Sequence, residues 1–214
     1  GNFAVKKGDK LAGTRIIPLV IEEEKMNAVK AQTMELTGGK PILVLKPFRH
    51  KKVGIVTTGN EVFYGRIQDT FTPVIVDKLS EFDAEVTGHV TWDDDDKKVT
   101  ASILDMIEKG ADIVICTGGM SVDPDDKTPL AIKNTGARIV SYGAPVLPGA
   151  MFLLAYYDRM EQGKNRRTVI MGLPGCVMYA KRTIFDLVLP RVMADDEVTA
   201  DELAALGMGG LCLN

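Results

Sequence analysis

The stretch Thr117-Gly-Gly-Met-Ser-Val-Asp-Pro-Asp-Asp-Lys-Thr128 joins two chemistries that oppose each other. Gly118 and Gly119 let backbone amides come close to a ligand, and Ser121 and Thr128 add hydroxyls. Such a turn suits an anion. Asp123, Asp125 and Asp126 follow, and carboxylates repel a phosphate unless a cation lies between. A second acidic run, Trp92-Asp-Asp-Asp-Asp-Lys97, can supply a further carboxylate. Magnesium needs only one or two carboxylates when phosphate oxygens and waters complete its shell. Together the two runs suggest an anion held by glycine-lined amides beside a divalent cation. Plainer readings stand alongside. The acidic run can be a solvated helix start that complements the helix dipole. The glycine loop can end in helix caps, with Asp125 or Asp126 at the helix start. The GxxxxGK[ST] spacing of a P-loop is absent, as is a dinucleotide fingerprint.

Other turns are candidates for the same site. Thr57-Thr-Gly-Asn-Glu61 offers hydroxyls, amides and a glycine for a tight bend. Gly172-Leu173-Pro174-Gly175 and Pro148-Gly149 are sharp turns ahead of further structure. Asp69-Thr70 suits a helix N-cap. His50 and His89 stand isolated in sequence, which favours structural or surface roles. Cys116 falls in an apolar run and is expected to pack as a small apolar side chain. Cys176 lies in a turn, where a nucleophilic role would need a base beside it.

These loops need elements to position them. Val53–Thr57, Ala84–Val90, Ile113–Cys116 and Arg138–Tyr142 read as strands, and Phe152–Tyr156 with Thr168–Met171 as a hairpin. Helical patterns cover Thr70–Asp83, with Val74, Val76, Leu79 and Phe82 on one face, then Lys97–Lys109, Pro129–Asn134 and Tyr179–Met193. Alternating strands and helices predict an α/β domain with a mainly parallel sheet covered on both faces. In such sheets ligands bind beyond the carboxyl ends of the strands, where these loops would meet. The first fifty residues read differently: a strand-like Ala12–Ile21, a helix over Glu22–Leu36 and a short strand at Pro41–Leu45. The expected organisation is an extension over 1–50 that ends a truncated upstream domain, a core domain over 51–194, and a C-terminal helix and tail over 195–214.

The chain has 214 residues, 45% hydrophobic and 26% charged, with a net charge of −3. That balance offers no basic face for nucleic acid. Three cysteines, with no CxxC pair, argue against a disulfide framework or zinc site and for a reducing cytoplasm. No apolar run approaches the ~20 residues a membrane span needs. The chain opens Gly-Asn-Phe without an initiator methionine, as expected for part of something longer.

Taken in order, TTGNEV, GRIQD, WDDDD, TGGMSVDPDD, GAPVLPGAMF and MGLPG resemble the molybdopterin-binding domain of molybdenum cofactor biosynthesis proteins, the family of MogA, MoaB, MoeA and gephyrin. The likeness runs from about Lys52 to Asp186, and KKGDKLAGTRIIPLVI resembles the approach to this domain in MoeA-like proteins. The resemblance implies a three-layer α/β/α fold and a pterin ligand at the rim, in a dimer or trimer. It also implies one of two reactions: adenylation of molybdopterin with ATP and magnesium, or MoeA-like insertion of molybdate into the adenylated form. A non-catalytic carrier or sensor of molybdopterin or a nucleotide is the alternative. By position, Asp126 matches the essential carboxylate of the glycine loop and Asp94 the second, with Asp95 the alternative register. These three would hold Mg2+. Thr58, Gly59 and Glu61 match the first rim loop, Gly118, Gly119 and Ser121 the ligand-cradling turn, and Gly172, Leu173, Pro174 and Gly175 the distal turn. Three departures stand out. Cys176-Val-Met-Tyr179 replaces Asn-Pro and a small hydroxyl residue, Ala150 replaces a lysine, and Phe71 replaces an asparagine. Each loses a polar contact worth about 1.5–3 kcal/mol with a charged ligand, unless Arg66, Lys127 or Lys181 compensates.

Overall fold

A computed structural model describes residues 3–13, 15, 17–121, 123, 126–161 and 163–208, so Asp125 of the glycine loop and Cys212 lie outside the described residues. The chain forms two compact units, Gly1–Pro47 and Phe48–Asn214. The first contains one helix, α1 (Glu23–Thr37), closed by Gly38 in the left-handed conformation with φ 58°. The strands expected within 12–21 and 41–45 are not formed among the described residues. Ile42, Leu43, Val44 and Leu45 are exposed. Their β-branched, apolar character favours a pleated, half-buried surface, but a strand also needs a neighbour to complete its ladder.

The second unit is built on one six-stranded sheet. Its strands are β1 (Lys51–Thr58), β2 (Ala84–Trp92), β3 (Ile113–Thr117), β4 (Arg138–Tyr142), β5 (Leu153–Glu161) and β6 (Lys164–Leu173), in the order β2-β1-β3-β6-β5-β4. The β1–β2, β1–β3 and β3–β6 pairs are parallel. β5 is antiparallel to both β4 and β6. The helices are α2 (Asn60–Phe63), α3 (Phe71–Leu79), α4 (Asp96–Glu108), α5 (Thr128–Asn134), α6 (Ile184–Met193) and α7 (Ala200–Ala205).

Side-chain alternation along the strands divides the core in two. Val53, Ile55, Ile113, Ile115, Met171 and Leu173 pack against α3, α6 and α7. Val56, Val114, Cys116 and Ile170 pack against α4 and α5. The result is the expected three-layer α/β/α arrangement, with the central strands apolar on both faces. Gly54 is required there, because a Cβ would collide with the thioether of Met106 on α4.

Several boundaries differ from expectation. α3 stops at Leu79 and buries Phe71, Ile75 and Leu79, whereas Val76 is exposed and Phe82 lies beyond the helix. The i, i+4, i+8 stripe starts two residues after the loop aspartate, which draws Phe71 into the core. Tyr179 does not begin the last long helix. A 3-10 turn covers Gly175–Met178, and α6 starts only at Ile184. There the Thr183 hydroxyl accepts the amide of Phe185, and the Asp186 carboxylate accepts the amide of Thr183 at 2.8 Å. That reciprocal cap sets the start more firmly than the looser apolar pattern upstream. Residues after 194 also pack on the sheet: Val198 and Leu203 are buried with α6. The Tyr156 hydroxyl accepts the Val198 amide at 2.8 Å and donates to its carbonyl at 3.2 Å.

Thr183→Ala removes this cap, and the expected loss is about 1 kcal/mol of stability. It should appear as a lower urea midpoint with an unchanged slope.

Candidate functional site

The parallel strands end level with one another. Thr58 pairs with Trp92, Thr57 with Thr117, and Thr117 with Leu173. On the antiparallel side Tyr142 pairs with Leu153 and Leu153 with Gly172. The loops carrying TTGNE, WDDDD, the glycine run, GAPVLPG and GLPG therefore leave one edge of the sheet. Adjacent strands lie about 4.8 Å apart, so β2 and β3, on either side of β1, root their loops about 10 Å apart. Asp94 and Asp126 thus rise from the same rim.

Two consecutive threonines tie this rim together. Thr58 faces α5: its hydroxyl lies 3.0 Å from that of Thr128 and donates to the Thr117 carbonyl at 3.3 Å. Thr128 in turn donates to the Gly118 carbonyl at 2.8 Å. Gly118, at φ 79°, passes so close that a Cβ would overlap the carbonyl oxygen of Thr58. The glycine pair therefore answers an internal requirement, the close approach of two backbones, as well as offering amides. Gly119 lies over the same two hydroxyls, with its Cβ position 3.0 Å from Thr128 Oγ1.

Thr57 faces α3. Its hydroxyl is 3.1 Å from His89 Nε2, 3.2 Å from Thr72 Oγ1, 3.3 Å from Thr117 Oγ1 and 3.4 Å from Asp69 Oδ2. Asp69 caps α3, accepting the amides of Phe71 at 2.8 Å and Thr72 at 3.1 Å, and the Thr72 hydroxyl at 2.5 Å. Partial burial raises the pKa of its carboxyl. The Thr72 and Phe71 hydrogen bonds, with the nearby His89, outweigh that and leave it below the ordinary carboxylate value. His89 Nε2 is 3.6 Å from Asp69. Far from isolated, this histidine belongs to the rim network, and no short-range spacing signals it because its partners come from other elements. His50 is likewise partnered, 2.8 Å from Asp83.

The four aspartates after Trp92 have different duties. Asp93 accepts from Lys98 Nζ at 2.9 Å. Asp95 caps α4, accepting the amides of Lys97 and Lys98 at 2.9 and 3.3 Å. Asp96 accepts from the Asn134 side chain at 3.3 Å. Asp94 is exposed and, among the described residues, free of such a partner. It is the carboxylate of the four available to a ligand.

Asp126 folds the glycine loop onto itself, accepting the Ser121 amide at 2.5 Å. The Ser121 hydroxyl accepts the Asp123 amide at 3.3 Å, and Tyr142 donates to the Ser121 carbonyl at 3.1 Å. Burial, and then the Asp126 charge, push the Tyr142 hydroxyl above its usual pKa. The Ser121 amide and the Ser121 hydroxyl, the latter expected to serve a ligand, thus both have partners within the loop. Asp126 keeps its second oxygen and the other lone pairs for further partners. Among the described residues no group of three His, Cys, Asp or Glu side chains is arranged to hold a metal.

At the distal turn, Leu173 and Pro174 are buried, while Gly175 is exposed with open space where a Cβ would lie. Burial pushes the Cys176 thiol up despite nearby amides, so it is not poised as a thiolate. Cys116 is fully buried and its thiol is pushed up to about 12. Met178 accepts from the Thr70 hydroxyl at 3.1 Å, linking this turn to the α3 loop. In the neighbouring loop, Gly149 has φ 125°, and its Cβ position lies 2.5 Å from Ile184 Cγ2. The Ala150 carbonyl accepts the Ala144 amide at 2.9 Å. Of the other expected first-loop residues, Gly59 adopts φ 137° with open space around it, and Glu61 is exposed.

A cleft also lies elsewhere. It encloses about 250 Å³ beside Lys51, Asp112, Arg167 and Glu197, at the other end of the strands. Its charges are mutually satisfied: Lys51 pairs with Asp195, Arg166 with Asp112, and Arg167 with Asp158 and Glu197.

Gly118→Ala is expected to cost about 2–5 kcal/mol, combining a left-handed backbone penalty with a clash that cannot relax. A thermal melt reads this directly. Asp69 has a depressed pKa, so its contribution to stability is fully present above its unfolded value near 3.8 and is lost as pH falls through the lower folded value. Asp69→Asn should therefore flatten the acid limb of a urea-midpoint profile below about pH 4.

The family model described as "probable molybdopterin binding domain" matches residues 54–194. The molybdopterin biosynthesis enzyme MoaB from Thermus thermophilus superposes with a TM-score of 0.52 at 23% identity, covering 66% of this chain and 91% of that one. The tungsten cofactor synthesizing protein MoaB from Pyrococcus furiosus gives a TM-score of 0.51 at 21% identity, over 69% and 89%. At these identities the likeness is one of fold. A CinA-like protein of Mycobacterium tuberculosis (strain H37Ra) is 36% identical over 77 residues, which are 36% of this chain and 18% of that protein. The match thus spans less than a fifth of the curated relative's length. By the family match, supported in fold by both superpositions, this chain belongs to the family of probable molybdopterin binding domains.

Proposed function

We propose that the chain binds a phosphorylated pterin of the molybdopterin type at the carboxyl rim and acts there in molybdenum cofactor assembly, by inserting molybdate into the adenylated pterin. The observation that carries this reading is the common rim. Level strand ends root the loop of the exposed Asp94, which has no partner among the described residues, and the glycine loop of Asp126 on either side of β1.

The residues fit a magnesium ion in their donor chemistry. Hard oxygen donors are on both flanking loops, and one or two carboxylates suffice when a ligand phosphate completes the shell. Asp94 would hold it, with Asp126 through the oxygen not committed to Ser121. Asp95 is committed to capping α4. Such an ion would neutralise phosphate charge beside the acidic loops. The chain's own part is positional. Thr58, Gly118 and Thr128 fix the glycine turn, the Asp126–Ser121 contact holds its shape, and Asp69 with Thr57 sets the start of α3. Catalysis by such a rim rests on orientation and electrostatic complementarity.

A second reading, binding without turnover, is favoured by one feature. Ala150 and Cys176 leave the distal rim without the lysine and asparagine that the resemblance leads one to expect there.

Incubation with adenylated molybdopterin, magnesium and molybdate separates the two. Transfer predicts molybdenum-loaded pterin with release of adenosine monophosphate, a product that disappears in Asp126→Asn and falls at least ~10-fold in Asp94→Asn, the loss of one charged contact in the transition state. Saturable pterin binding with no product in the unaltered chain would establish the carrier instead.

A further inference from the structure

An aromatic cluster stands on the β2 side of the rim. The Phe63 and Trp92 rings are stacked at 6.1 Å between centroids, and Tyr64 meets Phe63 edge-on at 5.1 Å. Phe63 and Tyr64 are 37% and 62% exposed, so these large rings face outward rather than fill the core. Two cations lie over them: Arg66 at 5.9 Å from the Tyr64 ring and Lys98 at 5.7 Å from the Trp92 ring.

The cluster is joined to the site. The Gly59 amide donates to the Trp92 carbonyl at 3.1 Å, so the TTGNE turn and the aromatic strand end are bonded to each other. Gly59 leaves open space beside them. The Arg66 and Ile67 amides both donate to the Glu61 carbonyl, at 2.8 and 3.2 Å, which closes the loop that displays Phe63 and Tyr64. Asp94 follows Trp92 by two residues.

Exposed rings beside a polar rim, with cations at their faces, match one ligand chemistry: a planar nitrogen heterocycle carrying a phosphate. The ring stacks, and the exposed guanidinium of Arg66 meets the phosphate. We propose that Phe63, Tyr64 and Trp92 form the platform for the heterocycle of such a ligand, with the exposed Arg66 as its phosphate-facing cation, Lys98 being held by Asp93. This deepens the pterin reading and rests on it. A pterin and the adenine of an adenylated pterin share this chemistry.

Trp92 is the only tryptophan in the chain, so its emission reports on the platform. The test uses two probes, molybdopterin and adenosine monophosphate. Binding is followed by retention on ultrafiltration and, separately, by Trp92 fluorescence. The expected result is retention of at least one probe with saturable quenching. Tyr64→Ala and Phe63→Ala should each weaken retention about tenfold, within the range of one lost stacking contact. Arg66→Gln should weaken retention yet keep the quenching at saturation. The probe that quenches identifies the ring that is stacked. Retention with unchanged emission, and unchanged affinity in Tyr64→Ala, would overturn the platform while leaving rim binding intact. Retention of neither probe would overturn both.

Discussion

The rim depends on one contact, the near collision of Gly118 with the carbonyl of Thr58. It brings the turn after β3 against the end of β1, which is possible only without a side chain at Gly118. The approach places the Thr128 hydroxyl between the Gly118 carbonyl and Thr58, and so fixes where α5 begins. Alternation along β1 then extends the effect. Thr58 points to the α5 layer while Thr57 points to the α3 layer, where it meets Thr72, Asp69 and His89. Two adjacent residues thus tie both helical layers to the sheet edge that carries the site. Buried hydroxyls suit this position, because each must find a partner once water is excluded.

This arrangement sets how much of the rim's acidity is left for a ligand. Most of its carboxylates are occupied by the protein itself. Asp69 and Asp95 cap helices, Asp93 pairs with Lys98, and Asp126 receives the Ser121 amide. Helix amides and a lysine offset the charge that the composition displays as a block. Asp94 remains at the exposed crest. A dense acidic run therefore reduces, among the described residues, to one carboxylate without a protein partner.

Much of this was legible in the sequence, and for a physical reason. Val53–Thr57 and Ile113–Cys116 lie in strands buried on both faces, so they read as short apolar runs bounded by turns. Val99, Ile103, Met106 and Ile107 form a clear helical stripe under α4. Where tertiary partners decide, the sequence misled. Pro41–Leu45 has strand composition but no ladder partner among the described residues. The apolar pattern from Tyr179 was overridden by the reciprocal cap of Thr183 and Asp186. On α3 the stripe shifted because Phe71 is buried. At the site, Gly118 and Asp126 were visible as residue types, but the internal work each performs needed the folded loop to bring its partner close. His89 and the Phe63–Trp92 stack were invisible because the partners that define them, Thr57 and Trp92, lie far along the sequence.

The departures from the family pattern acquire a common direction in this frame. Phe71 is not a lost ligand contact on an otherwise polar surface; it leaves the rim altogether and fills the core beneath α3. Ala150 offers a carbonyl that closes its own loop, and Met178 is bonded to Thr70. The distal side has exchanged outward polarity for internal contacts. On the β2 side Phe63, Tyr64 and Arg66 are turned outward, while Trp92 is half-buried against the core under α4 with its Nε1 donating to Ser102 at 2.7 Å. A charged contact with phosphate is worth about 1.5–3 kcal/mol and a stacked ring about 1–3 kcal/mol, so one gain can offset one loss. In the proposed binding mode, recognition at this rim would rest less on the phosphate at the distal turn and more on the flat face of the ligand beside β2, and the heterocycle would distinguish one ligand from another.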